Sequence, residues 1–245
     1  MNPIIQSLFD RKSCRIFEDK EISQEDKTRI LQAAMQAPSA GNQQMYTIID
    51  VQDEKLQETL SKTCDNQPFI NQAKMVLIFC ADFQKWYDLF NHENCNPRKP
   101  GVGDLLLATT DATIAAQNAV VAAESLGIGS CYIGDILEHH DLHRELLHLP
   151  EYVVPVCMLV LGYPAEDHFK RQKPERCKLE DIVCVDHYQR KNEQELKNMF
   201  EHKVGNKKLS EWTEAFCKRK YNSDFSKEMT HSVQKYIDQF KSEAD

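Results

Sequence analysis

The order of hydrophobic and polar positions predicts a mixed α and β chain. Three short apolar runs rich in β-branched residues predict strands over residues 45–51, 75–81 and 153–161. Apolar positions at helical spacing follow a capping-type Ser23 and stop before Pro38, which predicts a helix over residues 23–37. Further helical segments lie between the strands.

A longer helix is predicted over residues 104–126. It is rich in alanine, apolar almost all round, and followed by Gly127 as a stop. A helix of this kind has to be covered on every side, by its own sheet or by a second subunit. After about residue 186 the chain becomes polar, with amphipathic helical stripes. We therefore predict a core at 1–185 and a helical C-terminal extension at 186–245, within a single domain.

Composition narrows the classes of protein. The formal net charge of −8 argues against a nucleic-acid or acidic-membrane binder, because both need a basic face. The nine cysteines include no C-x-x-C pair, which favours reduced thiols over disulfides or zinc. We find no secretory leader, and no apolar run as long as the roughly 18 residues of a membrane span. A soluble cytoplasmic protein is the expectation.

The first segment with candidate chemistry is residues 11–17. Arg11, Ser13 and Arg15 alternate, so they would share one side of an extended chain. Two guanidinium groups and a hydroxyl on one side suit a phosphate. Taken alone, surface ion pairs with the acidic residues between 18 and 21 explain these arginines equally well.

Two further clusters stand at the ends of predicted elements. Residues 37–44 join the first helix to the first strand and are dense in short amide and hydroxyl side chains; an ordinary turn would have the same composition. Residues 126–135 lead from the apolar helix into an extended stretch whose glycines would let backbone approach a planar ligand. Alternatively, Gly127 is a helix cap and Gly134 a bulge.

Several familiar motifs are missing from the sequence. No G-x-G-x-x-G follows a strand, and there is no Walker A loop or G-x-S-x-G elbow. His139 and His143 have the spacing of a zinc-binding pair on a helix, but a solvated helical face is the stronger interpretation. No cysteine lies in a nucleophile signature. We therefore predict no metal and no catalytic side chain.

Read together, these clusters resemble the nitroreductase family, and within it the oxygen-insensitive NAD(P)H nitroreductase and flavin reductase P group. The segments that carry the resemblance are residues 11–15, 37–42, Gln67 running on to 79–83, 116–134 and 161–165.

The resemblance implies that FMN is the cofactor. Arg11, Ser13 and Arg15 would hold its phosphate and ribityl end, and residues 132–135 would line the isoalloxazine ring. Lys173 and Arg176 correspond to a Lys-Pro-Arg stretch of the group, here one residue longer; a cation in this place would raise the flavin reduction potential. The implied FMN contacts are Arg11, Lys12, Ser13, Cys14, Arg15, Ser39, Asn42, Gln67, Tyr132, Ile133, Gly134, Asp135, Lys173 and Arg176.

The implied fold is α+β, with a central, mostly antiparallel sheet flanked by helices, in a homodimer with FMN at the subunit interface. The implied activity is a ping-pong hydride transfer from NAD(P)H through flavin N5 to nitroaromatic, quinone or flavin acceptors. Residues 218–220 keep only part of the group's arginine pattern, which leaves NADPH or NADH open. Two alternatives stay open as well: a flavin reductase that supplies reduced FMN to a partner, and a non-enzymatic FMN store or redox sensor.

Overall fold

The fold was obtained as a computed structural model that describes residues 1–241. Its contacts form two compact units, one made of Met1–Arg171 with the chain from Glu228 onward, the other of Gln172–Lys227. The division differs from the predicted boundary at residue 185, because the second unit begins at Gln172 and most of the last helix belongs to the first unit. That residues 186–245 act together as one extension stays a prediction.

The elements of the first unit alternate between helices and strands. In chain order they are α1 (Pro3–Asp10), α2 (Gln24–Met35), a 3-10 turn (Ala40–Asn42), β1 (Tyr46–Asp50), α3 (Glu54–Thr63), α4 (Pro68–Gln72), β2 (Met75–Asp82), α5 (Gln84–His92), α6 (Val102–Ser125), β3 (Gly129–Ile133), a 3-10 turn (Asp135–Leu137), α7 (His140–Leu146), β4 (Val153–Gly162) and α8 (Glu166–Lys170). The second unit is helical. It contains α9 (Leu179–Ile182), α10 (Glu193–Phe200), a 3-10 turn (Glu201–Lys203), α11 (Leu209–Lys220) and the first residues of α12 (Asp224–Asp238).

Within residues 1–241, β1 to β4 form one antiparallel sheet in the order β1-β2-β4-β3. The three predicted strands are confirmed as β1, β2 and β4, each with ends within one residue of the prediction. β3 occupies the stretch predicted to be extended after the long helix, and lies at one edge. The predicted α+β class with an antiparallel sheet is confirmed.

The sheet is covered on both faces, and β2 is buried at every position. Leu77 and Phe79 pack into one core with the alanines of α6. Ile78, which points to the other face, packs with Leu60 of α3 and Ile70 of α4. Successive strand residues point to opposite faces, so a continuously apolar strand requires a layer on each side.

Helix α6 is the core helix that the sequence predicts, and Gly127 ends it with a φ of +73°. Its alanines at 112, 115 and 119 are fully buried against the sheet and α2. By length and composition α6 could also span a membrane, and 44% of its most apolar stretch is buried. Because core helices of soluble proteins satisfy the same criterion, this helix gives no argument for a membrane location.

The predicted cap of α2 is also present. The Ser23 hydroxyl accepts a hydrogen bond from the Asp26 N–H at 3.0 Å and donates one to the Asp26 carboxylate at 2.8 Å. At the other end of the chain, Tyr236 and Phe240 are buried in a third core with Met45 and Tyr152. The amphipathic pattern of the last third predicts such a stripe, but its partner residues, such as Met45 and Tyr152, lie far earlier in the sequence.

Candidate functional site

The segment of residues 11–17 runs beside β3, at the edge of the sheet. The N–H of Cys14 donates to the carbonyl of Ser130 at 2.9 Å, and Phe17 forms an isolated antiparallel bridge with Pro164. The segment is therefore extended, as the sequence predicts. Alternate side chains point to the same side of an extended chain, which separates Arg11, Ser13 and Arg15 from their neighbours.

Arg11 is half-buried against the outer side of β3. Its Nη2 lies 3.4 Å from the Ser130 hydroxyl, and its guanidinium carbon lies 6.0 Å from the centre of the Tyr132 ring. Among the described residues, the Nε of Arg11 is buried and has no hydrogen-bond partner. A buried guanidinium N–H without an acceptor is costly, and an oxyanion would satisfy it. This side of β3 is suited to an anion.

Ser13 and Arg15 lie near Cys131, the central residue of β3. Burial raises the pKa of the Cys131 thiol, and the nearby Arg15 charge and Ser13 hydroxyl oppose that rise. The guanidinium of Arg15 also lies 5.8 Å from the centre of the Phe69 ring, while the side chain as a whole is exposed. Arg11 also opposes the rise, so both arginines and the serine act on the same residue of β3.

Lys12 and Cys14 face the other way. The ammonium of Lys12 donates to the backbone carbonyls of Phe169, at 3.4 Å, and of Arg171. Cys14 is fully buried, and a Cβ placed on Gly129 would lie 2.7 Å from its own Cβ. Burial raises the pKa of the Cys14 thiol to about 11. Any ligand contact of Cys14 would therefore come from its backbone; both FMN contacts stay predictions.

Gln67 and Asp135 lie together at one end of this surface. The amide nitrogen of Gln67 donates to Asp135 Oδ2 at 3.1 Å and to the carbonyl of Cys64 at 3.0 Å. Two left-handed residues precede it, Asp65 with a φ of 59° and Asn66 with a φ of 49°. Both amide hydrogens of Gln67 have acceptors, so Oε1 is the atom through which this amide would bind a ligand donor.

Residues 132–134 connect these groups. Tyr132 is half-buried, and its hydroxyl donates to Gln117 Oε1 of α6 at 3.3 Å. The side chain of Ile133 is buried in the core, whereas Gly134 is exposed and begins the 3-10 turn that carries Asp135. Gly134 is thus a turn residue with a negative φ; the interpretation as a bulge was wrong.

Ser39 directly precedes the 3-10 turn before β1, and Asn42 is the last residue of that turn. The Ser39 hydroxyl accepts from the N–H of Gln44 at 3.0 Å, and Asn42 is exposed with a φ of 55°. These contacts are those of a turn. Their proposed contact with a cofactor comes from the resemblance and stays a prediction.

Asp111 holds the same turn and was missed by the sequence analysis. It lies on α6, is only 2% exposed, and accepts from the N–H groups of Ala40 at 3.0 Å and Met45 at 3.2 Å. One carboxylate thus binds the backbone at both ends of residues 40–45, the segment that follows Ser39 and contains Asn42. An acidic residue in the middle of an alanine-rich apolar helix is the sequence signal that could have revealed it.

The structure corrects the prediction for the histidines at the start of α7. His140 and His143 are buried, so the predicted solvated face is wrong for both. α12 covers this side: the N–H of His140 donates to the Ser232 hydroxyl at 3.0 Å, and the N–H of His139 donates to Glu228 at 3.1 Å. In residues 1–241 no group of three or more metal-ligating side chains is arranged for a metal ion.

Lys173 and Arg176 belong to the second unit. Lys173 is half-buried and Arg176 is exposed, and their predicted cofactor contacts stay predictions. Residues 218–220, the candidates for dinucleotide preference, form the last turn of α11; there the guanidinium of Arg219 lies 5.5 Å from the Phe216 ring centre.

Comparison with known proteins identifies the class to which this fold belongs. Residues 8–163 match the Nitroreductase family. The chain belongs to the nitroreductase family. This membership confirms the resemblance inferred from the sequence.

Individual relatives agree with that assignment. The chain is 39% identical over 179 residues to the FMN reductase [NAD(P)H] of Bacillus subtilis, covering 71% of this chain and 70% of the relative. It is 35% identical to the oxygen-insensitive NADPH nitroreductase of Salmonella typhimurium, covering 68% of each chain. The solved structure of B. megaterium NfrA2 superposes with a TM-score of 0.83 at 32% identity, covering 99% of this chain and 100% of that one.

Proposed function

We propose that the protein is an FMN-dependent oxidoreductase that takes hydride from NAD(P)H and reduces nitroaromatic, quinone or flavin acceptors. The observation that carries this proposal is the convergence of Arg11, Ser13 and Arg15 on β3, in a chain of the nitroreductase family. Bound FMN would supply the hydride-transfer chemistry, and Arg11, Ser13 and Arg15 would hold it in place.

The residues present fit the phosphate end of this cofactor. The orphaned Nε of Arg11 requires an acceptor, and the exposed guanidinium of Arg15 adds a second cation on the same side. Guanidinium groups bind phosphate oxygens through paired, charge-assisted hydrogen bonds. Ser13 would add a hydroxyl donor. These three side chains would fix the phosphate and thereby the position of the ring.

The residues away from the two arginines, among them Gln67 and Tyr132, fit the flavin ring, which carries hydrogen-bond donors and acceptors. Gln67, held by Asp135, would offer its Oε1 to an N–H or hydroxyl of the flavin. Tyr132 and Gly134 would supply an aromatic face and an accessible stretch of backbone. For Lys12, Cys14, Ser39, Asn42, Ile133, Lys173 and Arg176, the family resemblance supports an FMN contact.

A homodimer is part of the proposal. No residue of α1 is buried; Ile4 is 66% exposed and Phe9 is 63% exposed. On α6, Leu106 is 64% exposed. Apolar side chains concentrated on two helices favour burial against a second subunit. A cytoplasmic location is proposed from the reduced cysteines, all nine of which are free.

A flavin reductase is the second candidate function. One relative is an FMN reductase [NAD(P)H]. In this second function the protein would supply reduced FMN to a partner enzyme. Steady-state transfer to a coupled monooxygenase, compared with turnover on a nitroaromatic, would separate the two functions. Preferred release of reduced FMN would favour the reductase.

The visible spectrum of the purified protein tests the proposal directly. We expect a flavin spectrum that bleaches on anaerobic addition of NADPH or NADH and returns when an acceptor is added. Comparing the two dinucleotides also identifies the hydride donor. A colourless protein that fails to bind added FMN would refute the cofactor and every site residue proposed for it. A flavin that neither dinucleotide reduces would refute the enzymatic role alone.

A further inference from the structure

His143 makes directional contacts through both ring nitrogens in the interior. The side chain is 0% exposed; its Nδ1 lies 3.0 Å from the carbonyl oxygen of Ile136, and its Nε2 lies 2.9 Å from the hydroxyl of Thr63. A carbonyl oxygen only accepts, so in the neutral ring Nδ1 carries the hydrogen and Nε2 accepts from the Thr63 hydroxyl, whose other acceptor contact, to the carbonyl of Leu60, is longer at 3.5 Å. Burial lowers the pKa of His143, in keeping with this neutral form.

The two partners of His143 belong to different segments of the site. Thr63 is the last residue of α3 and is followed, four positions later, by Gln67. Ile136 directly follows Asp135 in the 3-10 turn after β3. The imidazole therefore spans the two segments whose side chains meet in the hydrogen bond between Gln67 and Asp135.

Two links at separate points constrain a pair of segments more than either does alone. The bond between Gln67 and Asp135 lies at the half-buried surface, where water competes for it. The link through His143 lies in the interior, where hydrogen bonds are stronger and an unpaired partner is costly. With the interior link intact, the surface pair starts from a fixed separation. Without the link through His143, the segments that carry Gln67 and Asp135 could move relative to each other.

We propose that His143 is a positioning residue for the cofactor: it fixes the spacing of the segments that carry Gln67 and Asp135, so that both side chains are oriented before FMN binds. This inference rests on the proposed function. His143 acts through those two residues and does not itself touch the flavin. Binding sites gain affinity when their contact residues are held in place beforehand by such supporting hydrogen bonds.

Two substitutions remove the same hydrogen bond from opposite sides. Thr63→Val deletes the hydroxyl and keeps the branched shape of the side chain. His143→Asn keeps a donor near the Nδ1 position for Ile136 and loses the acceptor for Thr63. We expect each to raise the FMN dissociation constant about tenfold, the effect of one interior hydrogen bond. The double variant should be little weaker than His143→Asn, because both changes delete one interaction.

Thr59→Val is the matched control. Thr59 lies one turn earlier on α3, where its hydroxyl donates only to the carbonyl of Lys55 at 2.8 Å. It tests the loss of a threonine hydroxyl on the same helix without the link to His143. The FMN dissociation constant of this variant should equal that of the wild type within a factor of two.

The measurements are FMN titration by flavin fluorescence and chemical unfolding of each protein without FMN. If Thr63→Val binds FMN like the wild type, while its stability falls as in Thr59→Val, His143 serves the core alone and the inference is overturned. Should His143→Asn fail to fold, Thr63→Val decides the question. A wild-type protein that binds no FMN would overturn the proposed function, and this inference with it, which is a different result from unequal variants.

Discussion

The side chains of Gln67 and Asp135, 68 residues apart in the sequence, are joined by a hydrogen bond of 3.1 Å from Nε2 to Oδ2. The other amide hydrogen of Gln67 goes to the carbonyl of Cys64. With both hydrogens held, the amide group cannot rotate by 180° without losing a hydrogen bond. Asp135 thus determines that Gln67 presents its Oε1, and not its NH2 group, to a ligand.

The first prediction concerns this pair. Asp135→Ala should raise the FMN dissociation constant about tenfold, because it frees the amide of Gln67 to adopt orientations that present its NH2 group. Asp50→Ala is the control, since Asp50 accepts from the amide of Gln52 at 2.8 Å in an exposed pair of the same kind. Equal FMN affinities in the two variants would contradict the role of Asp135.

The second prediction separates the phosphate from the ring. Arg15→Gln should weaken FMN binding by about tenfold to a hundredfold and leave riboflavin binding unchanged, because riboflavin lacks the phosphate that the guanidinium would meet. Titration of both flavins measures this. Arg29→Gln controls for loss of a surface charge, as Arg29 pairs with Glu25 on α2. If riboflavin is weakened as much as FMN, Arg15 does not bind the phosphate.

The third prediction concerns the buried carboxylate of α6. Asp111→Asn should lower the free energy of unfolding by about 1–3 kcal/mol, since an NH2 group facing the N–H of Ala40 or Met45 leaves a buried donor unpaired. Denaturant unfolding provides the value. Asp53→Asn should be nearly neutral, because asparagine caps a helix as well as the aspartate that caps α3. Similar losses in both variants would count against a special role for Asp111.

The fourth prediction uses two glycines. Gly129→Ala should destabilise the fold by about 1–3 kcal/mol and weaken FMN binding, because its Cβ would meet Cys14 at 2.7 Å and displace the segment that carries Arg11 and Arg15. Gly103→Ala, in α6 with nothing within 4 Å, should raise stability by up to about 1 kcal/mol. Thermal unfolding and FMN titration check both. A neutral Gly129→Ala would disprove the tight packing of the segment on β3.

The fifth prediction concerns pH. Glu138 is 4% exposed; burial, together with Asp135, Glu228 and Asp65, raises its pKa from 4.5 to about 7. Between pH 4.5 and pH 7, Glu138 of the folded protein holds a proton that the unfolded chain has released. The contribution of the Glu138 proton to the free energy of unfolding is therefore complete below pH 4.5 and is lost as the pH rises through 7. Glu138→Gln should make the protein more stable at pH 8 than the wild type, by at most about 3 kcal/mol.

The measurement is the free energy of unfolding at pH 5 and pH 8. The difference between the two values should shrink in Glu138→Gln and should persist in Glu18→Gln, which changes an exposed carboxylate. An unchanged pH dependence in Glu138→Gln would show that Glu138 titrates normally.

The local pattern of hydrophobic and polar residues was enough to predict the main helices and strands of the fold. β2 and β4 are buried on both faces, so their sequences are continuously apolar and need no partner to be recognised. Alternation likewise placed Arg11, Ser13 and Arg15 on one side of an extended segment, and the structure brings all three to β3. That Lys12 and Cys14 turn to the opposite side follows from the same alternation.

Partners far along the chain could not be predicted. The burial of His143 depends on packing against Thr63, 80 residues away, and Asp111 acquires its role from a turn about 70 residues earlier. His140 shows the same limit: a helical histidine with exposed neighbours has the same local pattern whether or not another helix covers it, and α12 covers His140 from the far end of the sequence.

The sequence by itself thus determined the α+β class, the strands, the long alanine-rich helix and the family, because each depends on local periodicity or on short motifs. Only the tertiary structure decided that Gln67 meets Asp135, that His143 links their segments, and that Asp111 fixes the turn before β1. Those contacts join residues distant in sequence, and their geometry depends on how sheet and helices pack together.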